Sequence, residues 1–250
     1  MDEGVTVMTR IYLPVKNREA KTIPISGEQA HYLISVLRCR KGDEILVFDG
    51  LGHCFRTRIA GIERKGVLVE VSERFPCGNE SGVRITLVPG LLKGEKMDMV
   101  IQKATELGVH AILPVVTRRS QIRGTRKIAR WKKIAEEASR QSGRSLVPEV
   151  HEPADFAGLC NGLGAELQGP GFLFYEGDAI PLQQAFASVL PQPPALFIMV
   201  GPEGGFTRDE VRNAEAQGAI VTTLGKRILR AETAALAALS IVQFQFGGMQ

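Results

Sequence analysis

From about residue 83 onward, short apolar runs alternate with longer segments of helical periodicity. The apolar runs are "VRITLVP", "HAILPVV", "GFLFYEG", "ALFIMVG" and "AIVTTLG", and the helical segments include "GEKMDMVIQKATELG" and "TRKIARWKKIAEEASRQSG". Short continuous runs of β-branched and aromatic residues are typical of strands that are buried on both faces. Strands that alternate with helices form parallel sheets. The sequence therefore predicts an α/β domain with a parallel sheet, closed by a helix from Ala231 to Phe246.

The chain before this region has a different pattern. Residues 10–75 contain the short strand candidates "EILVFDG", "CFRTRIAGI" and "GVLVEVSE", separated by the turn signals "GLG" and "ERKG", and one helix fits "GEQAHYLISVLR". This pattern predicts a small β-barrel. The stretch "PCGNESG" at residues 76–82 clusters Pro, Gly, Asn and Ser without periodicity, which is typical of a linker. We therefore expect two domains, residues 1–75 and 76–250.

Composition narrows the class of protein. The chain has 250 residues, with 31 Lys and Arg against 27 Asp and Glu, so its net charge is only +4. The N-terminus "MDEGVTVM" has no apolar h-region, and the longest nearly apolar run, Ala234 to Val242, is too short to span a bilayer. We expect a cytoplasmic protein with no membrane association.

The cysteines indicate the redox compartment. The four cysteines are widely spaced and form no C-x-x-C motif; they are Cys39, Cys54, Cys77 and Cys160. This spacing predicts reduced thiols rather than disulfides, and we expect no metal site.

The stretch "VGPEGGFTRDE" predicts a loop between a strand and a helix. Thr207 and Glu210 have the spacing of a capping box, so a helix should begin there. Glycines let a ligand lie against main-chain N–H groups with no Cβ in the way. An ordinary strand-to-helix turn is the alternative. We call Gly201–Phe206 the glycine loop and predict that it binds a ligand at the carboxyl end of a parallel strand.

A second loop follows the next strand, in "LGKRILRAETAALAALS". Leu224, Ile228 and Leu229 supply apolar groups that suit a flat heterocycle, and Arg230, Glu232 and Thr233 supply polar groups at a helix start. We call Leu224–Arg230 the second loop. Neither loop matches the phosphate-binding patterns G-x-x-x-x-G-K-[ST] or G-x-G-x-x-G. A nucleoside-type ligand is therefore favoured over ATP or NAD.

Residues 116–144 form an arginine-rich segment. Ten basic residues against Glu136 and Glu137 give a local excess of eight positive charges, twice the net charge of the chain; they are Arg118, Arg119, Arg123, Arg126, Lys127, Arg130, Lys132, Lys133, Arg140 and Arg144. A solvated helix face is the alternative interpretation. The one-sided charge favours contact with RNA, because guanidinium groups bind phosphates through paired hydrogen bonds. Trp131 would either stack on a base or anchor the core.

Several motifs occur in an order that resembles a known family. They are "HYLISVLRCRKGD", "KGEKMDMVIQKATELGV", "RWKKIAEEASRQSGR", "VGPEGGFT" and "LGKRILRAETA". The chain resembles the RsmE family of 16S rRNA uridine N3-methyltransferases, from "MTRIYLP" to the final helix. This family belongs to the SPOUT, or trefoil-knot, superfamily. The resemblance implies an α/β knot domain at residues 76–250, although knots are rare among protein folds. It also implies a PUA-like RNA-binding barrel at residues 1–75.

The resemblance also implies a cofactor and partners. S-adenosylmethionine is expected in the knot, against the loops after three strands, and the enzyme is expected to be a homodimer that acts on 16S rRNA of the small ribosomal subunit, at the family's target U1498. The expected cofactor-binding residues are Glu176, Gly201, Glu203, Gly204, Gly205, Leu224, Gly225, Ile228 and Leu229. The expected RNA-binding residues are Arg10, Arg38 and Arg40 in the barrel and Arg118, Arg119, Arg123, Arg126 and Arg144 in the arginine-rich segment.

Methylation at uracil N3 requires loss of the N3 proton, which needs a base and a stabilised anion. Glu203 and Glu232 are the candidate bases, and Arg230 is the candidate for stabilising the anion. Alternatively, Glu203 fixes its loop and Glu232 only compensates the helix dipole. Two other functions stay open: a catalytically inactive RNA-binding assembly factor, and a nicotinamide- or nucleotide-dependent enzyme that lacks the usual phosphate-binding motifs.

Overall fold

A computed structural model of the chain describes residues 8–15, 17–64, 66–161 and 167–247. The chain divides into two compact units. The first runs through Glu80 and includes Ser139–Val147; the second contains Ser81–Ala138 and the chain from Pro148 onward. The division at Glu80 falls inside the stretch 76–82. Nothing in the sequence indicates that Ser139–Val147 belong with the first unit.

The first unit is built on a five-stranded sheet. Its strands are β1 (Thr9–Tyr12), β2 (Thr22–Ser26), β3 (Glu44–Phe48), β4 (His53–Glu63) and β5 (Gly66–Pro76), in the order β1-β3-β4-β5-β2. The β1–β3 pair is parallel and the other pairs are antiparallel. The β-rich prediction for this part of the chain is therefore confirmed.

Alternation of burial along these strands creates the core of the first unit. In β2, Ile23 and Ile25 point inward between exposed neighbours, as expected for a sheet with one face buried. The predicted helix is divided: α1 (Gly27–His31) is followed by a π-helical turn, Tyr32–Val36, which buries Leu33.

Two of the four cysteines form a disulfide in the first unit. Cys54 lies in β4 and Cys77 directly follows β5, and the structure joins them. The two strands pair antiparallel, with His53 opposite Pro76, so the Cα atoms lie 5.9 Å apart, within the range that a disulfide requires. The prediction of reduced thiols is wrong for this pair. Cys39 and Cys160 are free.

The described residues of the second unit form nine strands. They are β6 (Arg84–Pro89), β7 (Ala111–Ile112), β8 (Val115–Val116), β9 (Glu149–Val150), β10 (Ala154–Asp155), β11 (Gly171–Phe174), β12 (Ile180–Pro181), β13 (Ala195–Val200) and β14 (Ala219–Thr223). Seven of them form one sheet in the order β12-β14-β11-β13-β6-β7-β9, and every pair in it is parallel. Strands β8 and β10 pair separately. The predicted parallel α/β sheet is confirmed.

Helices connect these strands. They are α2 (Lys96–Glu106), α3 (Ile128–Gln141), α4 (Phe156–Asn161), α5 (Leu182–Ala187), α6 (Arg208–Ala216) and α7 (Ala231–Val242), and a π-helical turn, Gln243–Gly247, follows α7. Helix α3 passes from the second unit to the first at Ala138. No helix among the described residues is long and apolar enough to cross a membrane.

Two predicted elements differ from those observed. The single strand predicted over "HAILPVV" is split into β7 and β8 around Pro114, which has no N–H to donate to a ladder. The helix predicted from Ala231 to Phe246 is regular only to Val242. In the π-helical turn that follows, Gln243 donates through Nε2 to the carbonyls of Leu107 and Gly108, which end α2.

Both faces of the large sheet are covered. All six residues of β13 are buried. One cluster of buried residues includes Met199, Phe206 and Val211, whereas Phe172, Phe186 and Phe246 form a separate aromatic group with ring centroids 5.2–6.2 Å apart. Because both faces of the sheet are buried, its strands are continuous apolar runs. The loops therefore emerge at the edge of the sheet where the strands end.

Candidate functional site

Three neighbouring parallel strands end at one cavity in the second unit. Strands β14, β11 and β13 are adjacent in the sheet, and the chain after each of them lines a cavity of about 490 Å³. Open parallel sheets bind ligands at this edge because the loops that follow the strands converge there. The cavity lining contains all the residues predicted for cofactor binding and catalysis: Glu176, Gly201, Glu203, Gly204, Gly205, Leu224, Gly225, Ile228, Leu229, Arg230 and Glu232.

The glycine loop is folded tightly against protein atoms. A Cβ at Gly204 would lie 2.9 Å from Cβ of Arg119, and a Cβ at Gly205 would lie 2.5 Å from Oε1 of Glu176. Gly205 also has φ +68°, a conformation that favours glycine. The expectation that these glycines only clear space for a ligand is therefore incomplete. At these two positions glycine permits close contact with Arg119 and Glu176.

The helix start after the glycine loop matches the prediction. Thr207 caps α6 and Glu210 returns the hydrogen bond, which completes the capping box. The Glu210 carboxylate is buried, and it also accepts a 2.7 Å hydrogen bond from the backbone N–H of Arg118. The end of the glycine loop is thereby joined to the start of the arginine-rich segment.

Lys96 is a cavity residue that the sequence did not reveal. It begins α2, and its Nζ lies 3.1 Å from Oε1 of Glu203 and 4.0 Å from Oε2 of Glu232. A signal was available: α2 follows β6, which pairs in parallel with β13, so the two strands end at the same sheet edge. A residue at the start of α2 is thereby placed near the glycine loop.

The two candidate bases differ in their surroundings. Burial raises the pKa of Glu203, but hydrogen bonds from its own backbone N–H, from Lys96 and from the backbone N–H of Lys93 outweigh it, so the pKa is lowered. Glu203 is therefore held as a carboxylate and is a weak base. Glu232 lies in the first turn of α7, where the helix dipole favours negative charge. Oε2 of each carboxylate is buried without a hydrogen-bond partner.

The second loop leads into α7. Arg230 is the exposed N-cap residue of this helix, and its carbonyl accepts a hydrogen bond from the N–H of Ala234. Ile228 is 88% exposed, and Leu229 is partly buried at the cavity. An arginine side chain and apolar groups thus stand on one loop, as the sequence predicted.

Several arginines of the arginine-rich segment bind this unit's own backbone. Arg119 Nη1 donates to the carbonyls of Gly204, at 3.0 Å, and Phe206, at 3.4 Å. Arg123 donates to the carbonyls of Thr117 and Arg118. Arg118 and Arg126 are exposed, although Arg118 lies 3.5 Å from Asp209. Arg119 therefore holds the glycine loop, a role that the sequence did not suggest.

Trp131 is an anchor of the core and not an exposed platform for a base. It is 1% exposed, and its Nε1 donates a 2.8 Å hydrogen bond to Asp98. Of the two alternatives for this residue, the core anchor is correct.

The predicted RNA contacts of the first unit fall into two groups. Arg38 and Arg40 are exposed. Arg10 is partly buried, donates to the carbonyl of Arg144 and lies 5.3 Å from the centre of the Phe48 ring. Burial lowers the pKa of Arg10, against the opposing effect of Glu80.

Arg144 is a correction to the predicted RNA-binding set. It is 4% exposed, and its Nη2 and Nε donate to Oε2 of Glu80 at 2.8 and 3.1 Å. The other oxygen of Glu80 accepts from the backbone N–H groups of Ser145 and Leu146. A buried charge requires such a partner, so the guanidinium group of Arg144 is used within the first unit, against Glu80.

No group of three or more potential metal-binding side chains occurs in residues 8–15, 17–64, 66–161 and 167–247. The charged groups that line the cavity are its carboxylates, Lys96 and its arginines.

Two family models match the chain. A model described as an RNA methyltransferase domain matches residues 79–243, and one described as an RNA methyltransferase PUA domain matches residues 25–72. The first covers most of the second unit, including every cavity residue. The second lies within the first unit.

Named relatives match nearly the whole chain. Ribosomal RNA small subunit methyltransferase E of Bacillus subtilis is 35% identical over 91% of this chain and 91% of the relative. The enzyme of the same name from Synechocystis is 34% identical over 88% of this chain and 72% of the relative. A Neisseria gonorrhoeae ribosomal RNA small subunit methyltransferase E, solved bound to S-adenosyl methionine, superposes with a TM-score of 0.86 and 34% identity, covering 97% of this chain and 100% of that chain.

These matches confirm the predicted fold class, a PUA-like domain followed by a trefoil-knot α/β methyltransferase domain. They also confirm the resemblance that the ordered motifs carried. The chain therefore belongs to the ribosomal RNA small subunit methyltransferase E family.

Proposed function

We propose that this chain transfers a methyl group from S-adenosylmethionine to N3 of a specific uridine in 16S rRNA of the small ribosomal subunit. One observation carries the proposal: the loops after β11, β13 and β14 enclose a cavity that combines two carboxylates, a lysine and Arg230. The names of the relatives support the reaction and the RNA class.

The residues of the cavity fit S-adenosylmethionine. Leu224 and Leu229 offer apolar contact to an adenine ring, and the unpartnered Oε2 of Glu203 offers an acceptor for an N–H or O–H donor of the ligand. The cavity volume of about 490 Å³ lies within the range of small-molecule sites. When bound, S-adenosylmethionine supplies a methyl group activated by its sulfonium centre.

Within this proposal, Glu232 accepts the N3 proton of the uracil. Glu203 is less suited to this role because hydrogen bonds from Lys96 and from backbone N–H groups stabilise its charged form. Arg230 stabilises the uracil anion, because its guanidinium group stands at the same cavity. The remaining contribution is orientation of the two reacting groups.

We further propose that the exposed arginines hold the RNA. In the second unit these are Arg118, Arg119, Arg123 and Arg126, of which Arg119 and Arg123 also donate to backbone carbonyls, and in the first unit Arg38 and Arg40. The PUA-type match of residues 25–72 supports RNA contact by the first unit. With the small ribosomal subunit as its substrate, the protein is proposed to act in the cytoplasm.

A homodimer is the proposed working form, as the family resemblance implies. Sedimentation velocity over a range of protein concentrations tests it. A dimer at all concentrations used for activity supports the proposal, whereas a monomer with full activity contradicts it.

The direct test uses purified protein, isotopically labelled S-adenosylmethionine and either free 16S rRNA or isolated small subunits. Label in 3-methyluridine after nuclease digestion is the expected result. RNA binding without transfer to either substrate would favour the inactive assembly factor. Thermal-shift measurements with S-adenosylhomocysteine, NAD and ATP test the other alternative, a nicotinamide- or nucleotide-dependent enzyme. Of the three ligands, only S-adenosylhomocysteine should stabilise this protein.

A further inference from the structure

Lys96 stands at a position where its charge opposes the helix dipole. It is the first residue of α2, and the N-terminal end of a helix favours negative rather than positive charge. Its side chain is 40% exposed and turns toward Glu203 and Glu232, whose side chains are only 17% and 11% exposed. The unfavourable helix position is thus offset by two largely buried carboxylates.

Each of these carboxylates has one buried oxygen without a hydrogen bond, and in Glu232 this is the oxygen that lies 4.0 Å from the Lys96 ammonium. Oε1 of Glu203 takes the Lys96 ammonium and, at 3.5 Å, the backbone N–H of Lys93, whereas Oε2 of Glu203 and Oε2 of Glu232 are buried without a hydrogen-bond partner. A buried acceptor without a donor costs about 1–3 kcal/mol. Both residues line the cavity, so a bound ligand can supply the missing donors.

Lys96 also favours the charged form of Glu203, because the hydrogen bond and the charge of its ammonium both lower the pKa of that carboxylate. The other charged groups that line the cavity are Glu176, Arg227 and Arg230. Among the cavity residues in the described part of the chain, Lys96 alone lies within ion-pair distance of both carboxylates.

We propose that Lys96 is a positioning residue: it holds Glu203 through Oε1, so that the unpartnered Oε2 of Glu203 accepts a hydrogen bond from an N–H or O–H donor of the bound nucleoside. The inference rests on the proposed function, because that function supplies the nucleoside. The donors belong either to the ribose hydroxyls or to the amino-acid ammonium group of the ligand.

Calorimetric binding of S-adenosylhomocysteine tests the inference without any methyl transfer. Lys96→Met should weaken binding by about 10-fold or more, the scale of a lost charge-assisted hydrogen bond. Lys96→Arg keeps the charge and should restore much of the affinity. Lys103→Met is the matched control, since Lys103 lies on the same helix and pairs with Glu106 on an exposed face. Its affinity should equal that of the wild type.

The pH dependence separates positioning from a merely structural role. The wild type should bind S-adenosylhomocysteine equally well from mildly alkaline to mildly acidic pH, because Lys96 keeps Glu203 charged. For Lys96→Met the loss should deepen toward acidic pH, because Glu203 then takes up a proton without the lysine beside it. Methylthioadenosine, which lacks the amino-acid group, locates the donors: a loss for this ligand too assigns them to the ribose, and an unchanged affinity assigns them to the ammonium group.

A double variant checks that Lys96 acts through Glu203. Lys96→Met combined with Glu203→Gln should lose little more affinity than the weaker-binding single variant, because residues in one network are not additive. Lys96→Met that binds like Lys103→Met at every pH would overturn the inference and leave the proposed function intact. Wild-type protein that binds no S-adenosylhomocysteine would instead overturn the proposed function.

Discussion

Glu203 and Glu232 face the same cavity and share one lysine, yet they are suited to different tasks. Glu203 is fixed by Lys96 and by backbone N–H groups, which lower its pKa, whereas Glu232 stands at a helix start with one oxygen unpartnered. The sequence offered both as bases and could not separate them, because Lys96 lies more than 100 residues before Glu203. At the scale of single residues, a partner that is distant in sequence determines which task each of the two carboxylates is suited to.

Arg230 and Glu232 carry the chemistry at this scale. Arg230→Ala should slow single-turnover methylation by roughly 10²-fold or more, the scale of losing one preorganised electrostatic donor. Glu232→Gln should also be slow, but its deficit should shrink at alkaline pH, where uracil ionises unaided. Lys226→Ala removes a neighbouring exposed charge outside the cavity lining and should react normally. Near-normal, pH-independent rates for both test variants would show that the second loop takes no part in the chemical step.

Glu203 should also make stability depend on pH. Because its pKa is lowered in the folded chain, its contribution is fully present above the ordinary glutamate pKa of about 4.3 and is lost as the pH falls through the lower folded-state value. The difference in melting temperature between wild type and Glu203→Gln should therefore shrink below about pH 4. A difference that stays constant down to the acid limit of folding would contradict this expectation.

At the scale of elements, the strands and the capping box of α6 could be predicted, whereas the split at Pro114 and the π-helical turns could not. Local signals set the first group: apolar runs for the strands, and Thr207 with Glu210 for the cap. Contacts distant in sequence decide the second, as when Gln243 binds the carbonyls that end α2. The disulfide was missed for the same reason, since pairing of β4 with β5 brings Cys54 to Cys77.

The glycine loop gives the prediction that belongs to this scale. Gly204→Val would press its side chain into Arg119, whose Cβ lies 2.9 Å from the modified position. Overpacking costs about 1–3 kcal/mol, so the loop should shift and the affinity for S-adenosylhomocysteine should fall by about 10-fold. Gly124→Val is the control, because no protein atom lies within 4 Å of that added Cβ. Equal affinities for the two variants would mean that the loop does not bind the ligand.

At the scale of the whole molecule, charge is distributed differently from its distribution along the sequence. In the sequence, the arginine-rich segment forms one basic stretch. In the structure, Arg119 and Arg123 bind backbone carbonyls and Arg144 is buried against Glu80. The sequence gives the number of formal charges but does not show which of them bind groups of the protein itself. Among the exposed arginines predicted to contact RNA, those whose side chains do not bind backbone carbonyls form two sets, Arg118 with Arg126 and Arg38 with Arg40.

These two sets predict a salt dependence. Replacing Arg118 and Arg126 by Ala should weaken RNA binding and lower the slope of log affinity against log salt by roughly one for each lost phosphate contact. Replacing Arg38 and Arg40 should do the same, and the losses should add if both units hold one RNA. Arg212→Ala removes an exposed charge outside the arginine-rich segment and should leave the slope unchanged. An unchanged slope for the Arg118/Arg126 and Arg38/Arg40 variants would mean that these arginines belong to an ordinary solvated surface and do not contact RNA.

Mapping of methylated nucleotides in 16S rRNA, from cells with and without the gene for this chain, tests the central claim most directly. The predicted result is one 3-methyluridine that disappears with the gene, returns with the wild-type chain, and does not return with Arg230→Ala. Restoration by Lys226→Ala would show that the loss follows the cavity and not protein charge. An rRNA methylation pattern that is identical with and without the gene would contradict the proposed function.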